Sequence, residues 1–182
     1  MVETQSAVLV VVREAEPVVG RFRVNLDRSA GWGVPPHVTV LYPFLPPGRI
    51  DASVVARLGE TVAAVPAFDV VFARLDWFGD NVLWLAPEPD LPLRALTAAV
   101  YASFPDYPPY GGEEDDPIPH LTVGHDWPSD VLRSAAAEVE PQLPIRVQVS
   151  TVELLVGSPE PNGWRTIAIL PLAGANVATP LR

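Results

Sequence analysis

The chain has 182 residues, 22 acidic against 12 basic groups for a formal charge of -10, no cysteine and 22 prolines. Its length suits one domain able to bury about 70 % of its unfolded surface. All 12 basic residues are arginine, so lysine Schiff-base chemistry, a P-loop lysine, a disulfide framework and thiolate metal sites are excluded. The acidity argues against a partner gripped through many phosphates, because such binding needs a basic surface. The 48 % hydrophobic content excludes disorder.

The apolar run Ala7 to Val12 predicts a buried strand, too short for a membrane span and without the basic leader of a signal peptide. A cytoplasmic protein is the expectation. Val18, Phe22 and Leu26 form one helical face, and Ser29 to Pro36 is a loop rich in glycine and proline. A strand is predicted from His37 to Phe44, then a helix from Asp51, a capping residue, to about Val65. Phe68 to Phe78 and Val82 to Ala86 read as a hairpin around Gly79-Asp80-Asn81, and Leu91 to Phe104 as a helix. A long loop, Pro105 to Pro119, holds the acidic run Glu113 to Asp116, read as a solvated loop whose charge would repel long RNA. A short strand starts at His120, a helix runs from Ser129 to about Glu140, and Ile145 to Val156 reads as one long strand paired with Trp164 to Leu170. Residues 1–172 are expected as a single domain of two lobes and 173–182 as a flexible tail.

The order repeats: strand, helix, loop, strand, helix, strand occurs twice. Pro36-His37-Val38-Thr39-Val40 in the first half matches Pro119-His120-Leu121-Thr122-Val123 in the second, with 83 residues between the histidines. Strand residues i and i+2 share a face, so each motif sets an imidazole beside a hydroxyl about 7 Å away. A pseudo-two-fold relation would bring both pairs to one cleft. Two histidines can act as base and acid near neutral pH, and hydroxyls can hold phosphate oxygens. The spacing itself does not say which histidine takes which role.

These two His-x-Thr-x motifs in a duplicated chain resemble the 2H phosphoesterase superfamily, in particular its bacterial 2'-5' RNA ligase-like or cyclic phosphodiesterase branch. The resemblance spans the strand at Ala7 to the strand ending at Leu170. It implies an α+β bilobal fold, with two antiparallel sheets lining a central cleft and helices outside. It further implies a metal-independent phosphodiesterase acting on 2',3'-cyclic phosphate ends of RNA or small cyclic nucleotides, with reversible 2'-5' ligation as a related activity. His37, Thr39, His120 and Thr122 are the expected catalytic set, with no cofactor and no metal. The alternative is a module of the same fold that binds nucleotides without turning them over.

Phe44, Tyr110 and Arg165 are the candidate substrate-binding residues, for base stacking and phosphate pairing. Trp32, Tyr107 and Trp164 are further aromatics in or beside loops, and Arg23 is a possible partner for a terminal phosphate, though such a residue is more often a solvent-facing charge. By strand alternation His125, five residues after the second motif histidine, falls on the face opposite His120, and Tyr42 holds the equivalent place after the first motif. A surface or structural role is therefore expected for His125, and a three-histidine zinc site is discounted. The expected partner is a small cyclic nucleotide or an RNA 3' end, with no long nucleic acid and no membrane, and the protein is expected to be monomeric.

Overall fold

In the computed structural model, which describes residues 2–113 and 116–175, the chain forms two four-stranded antiparallel sheets with helices outside. The elements run β1 (Gln5–Val11), α1 (Glu16–Leu26), α2 (Arg28–Gly31), β2 (His37–Leu41), α3 (Ala52–Ala63), β3 (Phe68–Phe78) and β4 (Val82–Glu88). They continue with α4 (Leu91–Ser103), β5 (Leu121–His125), α5 (Ser129–Val139), β6 (Ile145–Val149), β7 (Thr151–Gly157) and β8 (Arg165–Pro171). The strand orders are β2-β1-β7-β8 and β5-β4-β3-β6. No described helix is long and apolar enough to cross a membrane.

The expected α+β architecture stands, and its connectivity differs from a simple tandem repeat. β3 leaves the first half to pair with β4, and the hairpin β7–β8 returns to complete the first sheet. The predicted long strand is interrupted at Ser150. Up to Val149 the residues alternate buried and exposed, and beyond it they are buried on both faces, so the two pieces serve different sheets. Ser29 to Gly31, predicted as loop, lie in α2, which Asp27 caps by accepting from the Ser29 N–H. Asp51 caps α3 in the same way, through the Ser53 and Val54 N–H groups.

The lobes interlock. α1 packs against β5 and α4 against β2, so each lobe's first helix supports the other lobe's motif strand. Gly124 permits this approach, since a Cβ there would lie 2.5 Å from Leu132 Cδ2 and 3.1 Å from Leu26 Cβ. One large apolar cluster includes Val8 and Val10 from β1, while Ala7 and Leu9 from its other face form a small second cluster with Val34, Leu155 and Trp164. Burial on both faces is why β1 reads as a continuous apolar run.

Residue 173, which the sequence reading places at the start of the tail, is held in the fold. Ala173 donates to the Val65 carbonyl at 2.8 Å and accepts from Ala67 N–H at 2.9 Å, which fastens it to the end of α3; residues 176–182 lie outside the described residues. Within the acidic loop, Glu114 and Asp115 also lie outside the described residues, whereas Asp116 pairs with Arg94 at 2.5 Å.

Candidate active site

β2 and β5, the motif strands, are edge strands of their sheets and lie against each other where the lobes meet. His37, Thr39, His120 and Thr122 are all half-buried, while Val38, Val40, Leu121 and Val123 are in the core, as strand alternation predicts. The residues before the histidines, Pro36 and Pro119, are buried. Pro36 anchors the entry to β2 by accepting from the Val12 N–H at 2.8 Å.

The two imidazoles are held alike. His37 Nδ1 lies 2.7 Å from the Pro35 carbonyl oxygen, and His120 Nδ1 lies 2.7 Å from that of Ile118. A carbonyl can only accept, so Nδ1 of each neutral ring donates and Nε2 is left as the proton-accepting atom. An arginine secures each approach. Arg23 contacts the Val34 carbonyl at 3.4 Å and Arg94 that of Pro117 at 3.5 Å, each three residues before its histidine.

Arg23 is only 2 % exposed, which corrects its reading as a solvent-facing charge. Its Nε and Nη2 donate to Asp27 Oδ2 at 3.1 and 2.9 Å, and Nη2 also donates to Ser29 Oγ at 3.1 Å. Sequence patterning missed it because a charged residue on an apolar helical face looks like an interruption of that face.

Burial pushes the His37 imidazole down from 6.5 to about 4, and the Arg23 guanidinium and His120 add to the drop; the Pro35 carbonyl and the Asp27 carboxylate oppose it. His120 is lowered too, first by burial and then by His125, against its bond to Ile118. Folding therefore disfavours the charged form of His37. Its contribution to stability is complete above pH 6.5 and is lost as the pH falls toward 4, amounting to at most about 3 kcal/mol. In urea titrations across that window, His37→Asn is expected to flatten the acid limb of the stability profile; an unchanged slope would show that His37 does not carry it.

A cavity of about 330 Å³ opens beside His37 and Thr39, within the size range of small-ligand sites. Trp32, Tyr42 and Trp164 give it aromatic walls, Ala7 and Leu9 its floor. The backbone N–H of Trp164 donates to the Trp32 carbonyl at 2.9 Å, which joins the β7–β8 loop to the end of α2. Gly157 lets Trp164 sit close over β7, because a Cβ there would come within 2.7 Å of both Trp164 Cα and the Gly163 carbonyl oxygen. Around His120 the aromatic surface is filled by protein instead. Phe78 stacks on Trp84 at 4.6 Å and meets the His120 ring edge-on at 5.0 Å.

Of the expected wall residues, Trp32 and Trp164 line the cavity, whereas Phe44, Tyr110 and Arg165 lie outside it. Phe44 is 4 % exposed and packs edge-on against Phe104, with Tyr107 beside it, because it follows the end of β2 into the core. Tyr110 sits on the loop that docks onto β2, its N–H donating to the Tyr42 carbonyl at 2.6 Å. Arg165 lies on the outer strand β8 and donates to Glu3 at 2.8 Å.

His125 and Tyr42 also line the cavity, which overturns their assignment to the opposite face. Both motif strands carry a β-bulge at the same place. Leu9 pairs with Thr39 and Val8 with Leu41, leaving Val40 unpaired; Trp84 pairs with Thr122 and Leu83 with Gly124, leaving Val123 unpaired. One extra residue reverses the parity of everything after it. No group of three His, Cys, Asp or Glu among the described residues is arranged to hold a metal ion.

The family model of the 2'-5' RNA ligase superfamily matches residues 11–159. No curated protein matches the sequence significantly. Among solved structures, apo Escherichia coli LigT is similar at 17 % identity and a TM-score of 0.59, over 94 % of this chain and 98 % of LigT. TT0787 of Thermus thermophilus is similar at 16 % identity and a TM-score of 0.60, over 95 % and 99 % of the two chains. LigT complexed with 3'-AMP is similar at 16 % identity and a TM-score of 0.54, over 93 % of this chain and 98 % of LigT.

Proposed function

Because the chain belongs to the 2'-5' RNA ligase superfamily of 2H phosphoesterases, we propose that it hydrolyses a cyclic phosphodiester, a 2',3'-cyclic phosphate on an RNA end or on a single nucleotide. The observation that carries this reading is the matched pair of imidazoles, each bound through Nδ1 to the carbonyl two residues before it and each beside a threonine. Water attacks phosphorus in line with the departing ribose oxygen. One neutral imidazole takes the proton from water as the new P–O bond forms. The other, protonated, gives its proton to the ribose oxygen as that P–O bond breaks. The product is a phosphate monoester with a free neighbouring hydroxyl, and the two imidazoles have exchanged protonation states. Thr39 and Thr122 donate to the non-bridging oxygens, whose charge shifts in the transition state. Ligation with a 2'-5' linkage runs the same proton transfers in the same direction, with a ribose hydroxyl of a second RNA end in place of water, and cleavage of that linkage runs them in reverse.

The aromatic cavity beside His37 offers stacking surface for the nucleoside attached to that phosphate. The structures of LigT with 3'-AMP, ATP and NADP+ support a small-nucleotide ligand. Incubating the protein with 2',3'-cyclic nucleotides in excess chelator is expected to yield the nucleoside monophosphate. Failure to form it, or formation only after a divalent metal is added, contradicts the reading.

A further inference from the structure

His37 and His120 are held alike through Nδ1, yet the groups around the two rings differ in kind. Near enough to His37 to weigh on its charge are the Arg23 guanidinium and the Asp27 carboxylate of its own lobe and His120 of the other, and Arg23 outweighs Asp27. Arg23 is 2 % exposed, and its donors are committed to Asp27, Ser29 and the Val34 carbonyl, so it can neither turn away nor be screened by water. A proton on His37 would stand against a fixed, desolvated cation.

The second lobe is built differently. Arg94, the counterpart of Arg23, is 28 % exposed and shared between the Asp90 and Asp116 carboxylates, and Arg74 on β3 is likewise engaged by Asp76 and Glu88. His125, on the same strand as His120, acts on it as a like charge. Two aromatic rings stand against the imidazole itself. The Phe78 centroid lies 5.0 Å from that of His120 with the planes crossing at 86°, and the Trp84 centroid lies 5.9 Å away at 65°. A cation within about 6 Å of such a ring is drawn to its electron-rich face. A fixed cation thus opposes a charged His37, and aromatic rings favour a charged His120.

We propose that the two histidines have fixed roles in hydrolysis: His37 Nε2 takes the proton from water and His120 Nε2 gives its proton to the departing ribose oxygen, with Arg23, Phe78 and Trp84 as the positioning residues that set this order. The assignment rests on the cyclic-phosphodiester reading of the cleft. A water O–H bond and the P–O bond to ribose break as a new P–O bond and a ribose O–H bond form. His37 ends charged and His120 neutral, until exchange with solvent restores both. The opposite assignment starts from a charged His37 and a neutral His120, the state that the surroundings of both rings disfavour. Burial and Arg23 bring His37 down to about 4, so it is neutral at pH 7 and ready to accept.

Both assignments give a bell-shaped pH profile, so the leaving group decides between them. The test uses adenosine 2',3'-cyclic phosphate and its analogue with sulfur in place of the ribose oxygen that wild type expels. A thiolate departs without a proton, because a thiol is far more acidic than an alcohol. The loss of about 10²- to 10⁴-fold in His120→Ala is expected to shrink below about 10-fold on the sulfur analogue, while that in His37→Ala stays the same on both substrates. Rescue of His37→Ala instead, or of neither variant, overturns the proposal. If wild type turns over neither compound, the cyclic-phosphodiester reading itself fails, and proton NMR titration of the three histidines still tests the asymmetry. His37 is expected to titrate below His120 and to rise in Arg23→Gln. Phe78→Leu, which leaves the buried ion pair intact and keeps the ring covered, is expected to lower His120 by about half a pH unit and leave His37 unchanged. His37 titrating at or above His120, or no response of His120 to Phe78→Leu, contradicts the assignment.

Discussion

His37→Ala and His120→Ala each lower kcat on a 2',3'-cyclic nucleotide by about 10²- to 10⁴-fold, the usual contribution of a positioned acid or base, while KM changes far less. Both rings are half-buried at the meeting of β2 and β5 and lie outside the main apolar cluster, so truncation removes chemistry before it removes packing. Steady-state kinetics on the two variants, with thermal unfolding as a control for folding, measures the effect. A loss below about 10-fold in either variant would leave the matched motifs without their assigned work. Replacing the threonines by valine is expected to be a milder change, since in the proposed reaction each supplies one hydrogen bond to the charged phosphate and no proton.

Asp27→Ala is expected to have the largest effect on stability. It leaves the guanidinium of Arg23, 2 % exposed, without its carboxylate, and it removes the cap of α2. Breaking a buried pair from one side costs about 3–5 kcal/mol, which for a chain of this size lowers Tm by about 10 °C. The matched change on the second lobe, Asp116→Ala, removes a carboxylate that is 83 % exposed and costs less than about 1 kcal/mol. Scanning calorimetry on the two variants separates these expectations, and equal small shifts would mean that Arg23 finds water or another acceptor. Because Arg23 also holds the Val34 carbonyl beside the segment that orients His37, activity is expected to fall in Asp27→Ala even at temperatures where the variant is folded.

The pairing of His37 with Thr39 and of His120 with Thr122 is legible in the sequence because it depends only on the two-residue period of a strand, which holds up to the threonine in both lobes. One residue further on the period fails. The bulges at Val40 and Val123 are backbone features of an ordinary valine, with no glycine to mark them, so the same rule that places His120 misplaces His125 and Tyr42. The helices from Asp51 and from Leu91 are legible for a similar reason, in that caps, prolines and apolar spacing are local. Strand partnership is not local. That β3 crosses to the second sheet and β7–β8 return to the first is decided by pairing across the chain, and the change from alternating to continuous burial at Ser150 is its one local trace. Residue type alone points Phe44 and Arg165 to the site. Their placement in the core and on the outer strand follows from where β2 ends and which strand lies at the edge.

The equivalent bonds at Pro35 and Ile118 support the proposal that His37 and His120 act on a single phosphorus. The direct measurement is a double-mutant cycle in kcat on a 2',3'-cyclic nucleotide, with His37→Ala, His120→Ala and the double variant. Residues that act as a unit lose their effect together, so the double variant is expected to be about as slow as the slower single one. Losses that multiply across the cycle would mean that the two histidines work independently, and would contradict the account.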